Sequence, residues 1–183
     1  MELKKGRPRA YDFTPVSGMA EPGAARYLEA MNELMERAID QMIHLPPEAL
    51  NFSPGGTGIS PGWLALHLAW ADARMFSLAL GKEIPPELAE KLADGSAGGL
   101  EKGIRVESAA GLAELLRRVR RELVIPWCRE IRDLRAPMAS GGPLRNLEQI
   151  FMHMIYHWSY HSGQIGLATL QAGHDYAWSF AEI

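Results

Sequence analysis

Three histidines stand at steps of four residues in the last long apolar segment of the chain: His153, His157 and His161. Steps of four place side chains on one face of an α-helix, so neighbouring histidines of this series can bind one cation. His153 and His161 lie roughly 12 Å apart along a helix that rises ~1.5 Å per residue, which is too far for both to bind one ion. One helix therefore offers only an adjacent pair of ligands.

The rotation of this helix favours His157 and His161 as that pair. At about 100° per residue, both fall close to the core direction, whereas His153 lies roughly 90° from its centre. The residues that set the core direction are Leu147, Ile150, Met154, Ile165 and Ala168. His153 is therefore predicted to be a boundary residue, a partner behind a ligand or a surface imidazole.

A third nitrogen ligand is expected from His67. It belongs to a buried stripe with the helical spacing i, i+3, i+4 and i+7. The other members of the stripe are Leu64, Leu68, Ala71, Met75 and Leu78. The alternative is a core histidine bonded to a carbonyl or hydroxyl group, but three imidazoles in one dry core need more partners than it offers, which favours a three-histidine metal site. Asp72 lies about 140° around the helix from His67 and is expected to face elsewhere.

Composition excludes several classes of protein. The chain has 183 residues, enough for one well-buried domain, and its net charge of -3 comes from interspersed acids and bases. No basic face suggests nucleic acid, so small-molecule partners are expected. Cys128 is the single cysteine, which excludes an internal disulfide and fits a reducing cytoplasm. No apolar run has the length of a signal peptide or membrane span, so a soluble cytoplasmic protein is predicted.

The elements that must position these histidines are helices. Residues 1–22 predict an N-terminal arm, mobile or held on the surface by Tyr11 and Phe13, and residues 23–183 predict one domain. Four long helical patterns without convincing strands indicate an all-α four-helix bundle, in which the second and fourth helices are neighbours. The first three patterns cover residues 23–45, 61–80 and 108–123, with an interruption expected at Pro126. The fourth covers the apolar segment 147–170, in a helix that Pro143 is expected to introduce and Gly173 to close.

Three further features concern surfaces and connections. A short helix is predicted from Pro86 to about Ala93, followed by a long mobile connection over residues 94–103. The arginines at 117, 118, 120 and 121 predict a solvated face. A second apolar strip on the last helix is expected to pack on a second subunit, or under the arm or residues 178–180. Its members are Met152, Tyr156, Leu167 and Leu170.

Three stretches of the chain resemble a known family. They are Leu45-Pro-Pro-Glu-Ala-Leu-Asn, Leu64-Ala-Leu-His67-Leu-Ala-Trp and His153-Met-Ile-Tyr-His157-Trp-Ser-Tyr-His161-Ser-Gly-Gln-Ile165. From about residue 27 to 173 the sequence is similar to the DinB/YfiT-like superfamily of metal-dependent enzymes. The resemblance implies a four-helix bundle, often dimeric, in which His67, His157 and His161 bind a divalent metal, commonly nickel or zinc.

Three nitrogen donors with an open position are the pattern of a catalytic rather than a structural zinc-type site. The resembled family includes thiol-dependent S-transferases and isomerases that use bacillithiol or mycothiol. The resemblance therefore implies, as the first hypothesis, a metal-dependent transferase that activates a low-molecular-weight thiol. A metal-dependent hydrolase with Asp72 or Glu148 as base is the second. A non-catalytic, metal-stabilised helical module is the third.

Three residues near these motifs have open roles. Gln164 and Tyr160 either line the pocket and orient ligands, or pack in the core and against the tail. Arg74 either meets an anionic substrate or forms a surface salt bridge. No catalytic side chain is identified from the sequence.

Overall fold

Four long helices pack around one apolar core in the computed structural model, which describes residues 4–5, 12–138 and 144–177. In chain order the elements are β1 (Lys4–Lys5), α1 (Pro22–Met42), α2 (Pro47–Leu50), a 3-10 turn (Pro54–Gly56), α3 (Pro61–Leu80), α4 (Pro86–Leu92), a second 3-10 turn (Ala93–Gly95), α5 (Ala97–Glu101), α6 (Ala109–Val119), a π-helical turn (Arg120–Val124), α7 (Ile125–Cys128), α8 (Leu147–Gln171) and β2 (Tyr176–Ala177). The prediction of an all-α fold is confirmed.

The long helices begin and end at residues whose local chemistry requires it. Ser60 accepts a hydrogen bond from the backbone N–H of Trp63 and starts α3, and Gly81, with a φ of 64°, ends it in the left-handed region. Asn146 caps α8 in the same way through the N–H of Gln149. The sequence-based boundaries of α3 therefore match the observed ones, whereas α8 begins at Leu147, four residues after the Pro143 that was expected to introduce it.

Helices α3 and α8 lie side by side and run in opposite directions. Near the start of α3, His67 contacts the rings of His157 and His161. Further along α3, the ring of Phe76 meets that of Phe151, which lies earlier in α8, at 5.1 Å. Helix α1 packs on α8, and α6 packs on α3. The second and fourth long helices are therefore neighbours, as the bundle prediction requires.

A buried polar cluster, separate from the histidines, joins the four long helices. Arg120, at the start of the π-helical turn, donates to Asp72 Oδ2 at 2.5 Å and to Asn32 Oδ1 at 3.0 Å. Trp158 Nε1 donates to Asp72 Oδ1 at 2.9 Å. Arg120 is only 2% exposed. The prediction that all four arginines of this run form a solvated face is therefore wrong at Arg120.

Pro126 is the physical reason for the π-helical turn that carries Arg120. A proline has no backbone N–H and cannot donate to the carbonyl four residues earlier, so the preceding turn widens instead of breaking the helix. The helix continues through Cys128. The expected interruption is therefore a widened turn, and it lies at the arginine that reaches into the core.

The prediction of a long mobile connection after α4 is wrong. The segment forms a 3-10 turn and α5, because Ser96 caps α5 by accepting from the N–H of Gly99 at 3.4 Å. A side chain at Gly95 would meet the Leu66 carbonyl oxygen at 2.5 Å. Glycine at this position thus lets the segment lie directly on α3.

The second apolar strip of α8 is exposed on the surface of the single chain. Met152, Tyr156, Leu167 and Leu170 are 46 to 69% exposed, and Tyr160, 54% exposed, joins them. Phe13 lines a cavity of about 500 Å³ between α1 and α8 at the edge of this strip. Tyr11 and residues 178–180, which were expected to hold the arm or cover the strip, lie outside the described residues.

The first and last described segments of the chain meet. Lys4–Lys5 pairs with Tyr176–Ala177 as a short parallel ladder. Asp12 donates its backbone N–H to Glu33 Oε2 on α1 at 3.2 Å. Of the helices in the described residues, none combines the length and apolarity that a bilayer crossing needs.

Candidate metal centre

Three imidazoles from two helices converge on one point. The Nε2 atom of His157 lies 3.2 Å from Nε2 of His67 and 3.1 Å from Nε2 of His161. One ring nitrogen from each of the three lies within 4.8 Å of the others. The antiparallel packing of α3 on α8 produces this meeting, because it sets His67 opposite two histidines that are one turn apart.

Two of the three rings have their outer nitrogens bonded to oxygen acceptors. His67 Nδ1 lies 2.8 Å from the carbonyl oxygen of Gly95, and His161 Nδ1 lies 2.6 Å from Oε1 of Gln164. Oxygen acceptors require the proton to be on Nδ1, so the Nε2 atom of a neutral ring is left with a lone pair. His67 and His161 therefore both direct lone pairs at the centre of the cluster.

The arrangement at the centre fits a metal ion. One proton on His157 Nε2 could satisfy only one of the two lone pairs that face it, whereas a cation accepts all three nitrogens at once. His157 Nδ1 is buried without a partner among the described residues, so no acceptor holds its proton in place. Nitrogen donors of this kind suit zinc, nickel, copper and iron.

Burial keeps the three imidazoles neutral. Loss of solvation, with the neighbouring rings of His161, His67 and His153, lowers the pKa of His157 to about 3. Burial also lowers the pKa of His67 and of His161, partly offset by the Gly95 carbonyl in the first case and by Gln164 in the second. Neutral imidazole is the form that binds metals, so the site is ready for a cation at neutral pH.

Aromatic rings hold His67 from both sides along α3. The ring of Trp63 stacks on His67 at 5.0 Å and that of Trp70 at 5.7 Å. Trp63 Nε1 donates to the carbonyl oxygen of Asp94 at 3.2 Å, next to the Gly95 carbonyl that accepts from His67. The segment after α4 is thus part of the wall of the site.

The remaining candidates from the sequence lie around the cluster in different roles. His153 is exposed and stacks on His157 at 5.8 Å, outside the group of three, as the helix rotation predicts. Arg74 is also exposed. Asp72 is bonded to Arg120 and Trp158, and Glu148 Oε1 accepts from the Tyr27 hydroxyl at 3.0 Å, so neither carboxylate is available at the cluster.

The Gly95 carbonyl and the two tryptophans are parts of the site that the sequence did not predict. Trp63 and Trp70 stand four residues before and three after His67, a spacing that could have indicated contact on one helix face. Every residue has a backbone carbonyl, so the residue type does not indicate which carbonyl will accept a hydrogen bond from a histidine. The Gly-rich composition of its segment pointed instead to a plain connection.

We expect the metal-free protein to lose stability as the pH falls below the ordinary value of histidine, about 6.5. The lowered pKa values mean that the unfolded chain takes up protons that the folded chain excludes, so acid favours unfolding from about pH 6.5 down towards the folded pKa of His157, about 3. Thermal unfolding in chelator between pH 7.5 and 5.0 measures this loss. His157→Ala should show a shallower dependence on pH, and equal slopes would contradict the assignment.

Comparison with known proteins gives one family and one fold. The family model described as the DinB superfamily matches residues 25–165. A solved structure of a conserved protein from Enterococcus faecalis is similar, with a TM-score of 0.64 at 16% sequence identity, over 78% of this chain and 92% of that chain. At this identity the likeness concerns the fold alone. No curated protein matches the chain.

Proposed function

The chain belongs to the DinB superfamily, and from that premise we propose that it is a metal-dependent enzyme in which His67, His157 and His161 hold one divalent ion, nickel or zinc. The observation that carries the proposal is the convergence of the Nε2 atoms of three neutral imidazoles. In His67 and His161, an oxygen acceptor at Nδ1 holds the proton there, so Nε2 is unprotonated. Structural zinc sites in proteins instead use four protein ligands, usually including cysteine.

The donor set leaves a position for a substrate. No fourth histidine, cysteine or carboxylate of the described residues joins the group, and the lone Cys128 is buried elsewhere in the core. A bound divalent ion in such an open site lowers the pKa of a coordinated thiol or water. The chain itself supplies neutral imidazoles, a wall made by Trp63 and Trp70, and little acid-base chemistry of its own.

The reaction we propose is S-transfer from a low-molecular-weight thiol to a small electrophile. The thiol loses its proton to solvent, its sulfur forms a bond to the electrophilic carbon, and the leaving group departs with the electrons of the broken bond. Hydrolysis is less well supported because it calls for a general base beside the open position. Asp72 and Glu148, the two candidates, are held by other partners.

The test uses the full chain loaded with zinc or nickel, a panel of small thiols and monochlorobimane as the electrophile. Thiol-dependent formation of the fluorescent adduct, with release of chloride and loss of the rate in chelator, would support S-transfer. His153→Ala serves as the matched control and should keep the rate. Turnover of ester or amide substrates without any thiol would instead favour the hydrolase.

A non-catalytic role predicts a different combination of results. Metal removal would lower the melting temperature while no thiol, ester or amide substrate turned over, since a ligand that binds only the folded state stabilises it by mass action. This combination would overturn the enzyme proposal and leave the three-histidine site in place.

We further propose that the protein is a cytoplasmic homodimer. The exposed strip of α8 from Met152 to Leu170 has no charged side chain, so two copies can meet there without repulsion, and Gly163 on the same face allows close approach. The one cysteine is buried, which suits a reducing compartment. Sedimentation of the wild type and Leu167→Arg tests the dimer: a monomeric wild type would contradict it.

A further inference from the structure

We propose that Gln164 is the residue that positions His161 as a ligand, and that Tyr160 supports Gln164 by accepting a hydrogen bond from its amide nitrogen. The inference rests on the proposed metal site. It assigns a role to a half-buried glutamine that lies three residues after His161, on the same helix, and that does not itself join the group of possible ligands.

The contacts form a chain of directed hydrogen bonds. His161 Nδ1 donates to Gln164 Oε1 at 2.6 Å, and Gln164 Nε2 donates to the Tyr160 hydroxyl oxygen at 3.4 Å. The ring of Tyr160 meets the ring of His161 edge to face at 5.1 Å. All three side chains lie on α8 at spacings of one, three and four residues, so the helix alone brings them together.

The hydrogen bond from His161 to Gln164 decides which nitrogen of the His161 ring faces the cluster. An acceptor at Nδ1 holds the proton there, leaves Nε2 with its lone pair and prevents the ring from turning over. A free glutamine amide could present either its oxygen or its nitrogen to His161. In the structure the nitrogen donates to the Tyr160 hydroxyl oxygen and the oxygen faces the imidazole, so both ends of the amide have a partner.

Among the described residues, Gln164 is the one side chain that forms a hydrogen bond with an Nδ1 atom of the three histidines, so a substitution can remove that bond. His67 is oriented by a backbone carbonyl, that of Gly95, which no substitution removes directly. His157 Nδ1 has no partner in the described part of the chain. A glutamine variant therefore tests the orientation of one ligand while the other two remain as they are.

The experiment measures Co²⁺ binding by the purified full-length protein, because Co²⁺ reports both affinity and ligand geometry through its visible absorption. Gln164→Leu keeps the size of the side chain and removes the acceptor, and we expect Co²⁺ to bind about 10- to 100-fold more weakly, with an altered spectrum. Gln164→Glu keeps an acceptor oxygen and should bind as tightly as the wild type. Tyr160→Phe should weaken Co²⁺ binding less than Gln164→Leu, because the hydrogen bond between Gln164 and Tyr160 is long, at 3.4 Å.

Gln171→Leu is the matched control, because Gln171 is exposed at the end of the same helix, away from the cluster. Circular dichroism melts of the metal-free variants check that each one folds. Equal Co²⁺ affinity and an unchanged spectrum in Gln164→Leu would overturn the inference and leave the metal site standing. So would a Gln164→Glu variant as weak as Gln164→Leu. A wild type that takes up no Co²⁺ would overturn the proposed function as well.

Discussion

Alanine in place of His67, His157 or His161 is expected to reduce bound metal from about one ion per chain to nearly none, since three protein nitrogens are the minimum that an open site of this type uses. Each substitution leaves two imidazoles, which bind the ion too weakly to keep it through purification. The measurement is elemental analysis of protein purified without added chelator and again after reconstitution with nickel or zinc.

His153→Ala is the control for this series, and it should keep the metal content of the wild type. It removes a fourth imidazole of the same helix, one that stacks on His157 but lies outside the group of possible ligands. Loss of metal in His153→Ala, or its retention in any of the other three variants, would contradict the ligand assignment. Absence of metal from the reconstituted wild type would remove the site altogether.

Asp72→Ala is expected to destabilise the fold by about 3 to 5 kcal/mol, because it leaves a buried arginine without its counter-charge. Arg120 and Asp72 are each 2% exposed, so water cannot take the place of the lost carboxylate. Trp158 Nε1 loses its acceptor in the same substitution. Urea unfolding followed by circular dichroism gives the free energy of unfolding, with metal removed from both proteins.

Two further variants make this prediction specific to the buried pair. Glu90→Ala removes a carboxylate from the exposed side of α4 and should change stability by no more than about 0.5 kcal/mol. The double variant Asp72→Leu with Arg120→Met replaces both charges by apolar groups and should be more stable than Asp72→Ala. A loss below about 1 kcal/mol in Asp72→Ala would show that water reaches the cluster.

Much of the helical framework could be predicted because it depends on neighbours in the chain. Ser60 and Asn146 cap α3 and α8 through N–H groups three residues away, and the core stripes repeat at helical spacing. The histidines were found for the same reason. His157 and His161 are one turn apart on a single helix, and their rotation towards the core follows from the apolar residues around them.

The errors concern residues whose environment is made by distant parts of the chain. The arginine run was predicted to be solvated, yet Arg120 reaches Asp72 and Asn32, 48 and 88 residues away. The connection after α4 was predicted to be mobile, yet the Gly95 carbonyl accepts from His67, 28 residues earlier. Residue type and local spacing contain no information on such contacts.

The helices, their buried faces and the three imidazoles that could meet follow from the order of the amino acids, because hydrophobic periodicity and caps act within a few residues. Three other features are visible only in the folded chain: the imidazoles meet at Nε2, outer partners orient two of them, and the nearby carboxylates are already bonded elsewhere. Those features depend on the antiparallel packing of α3 on α8 and on the turn that lies across α3. Both arise only when segments far apart in the chain bury their apolar faces together.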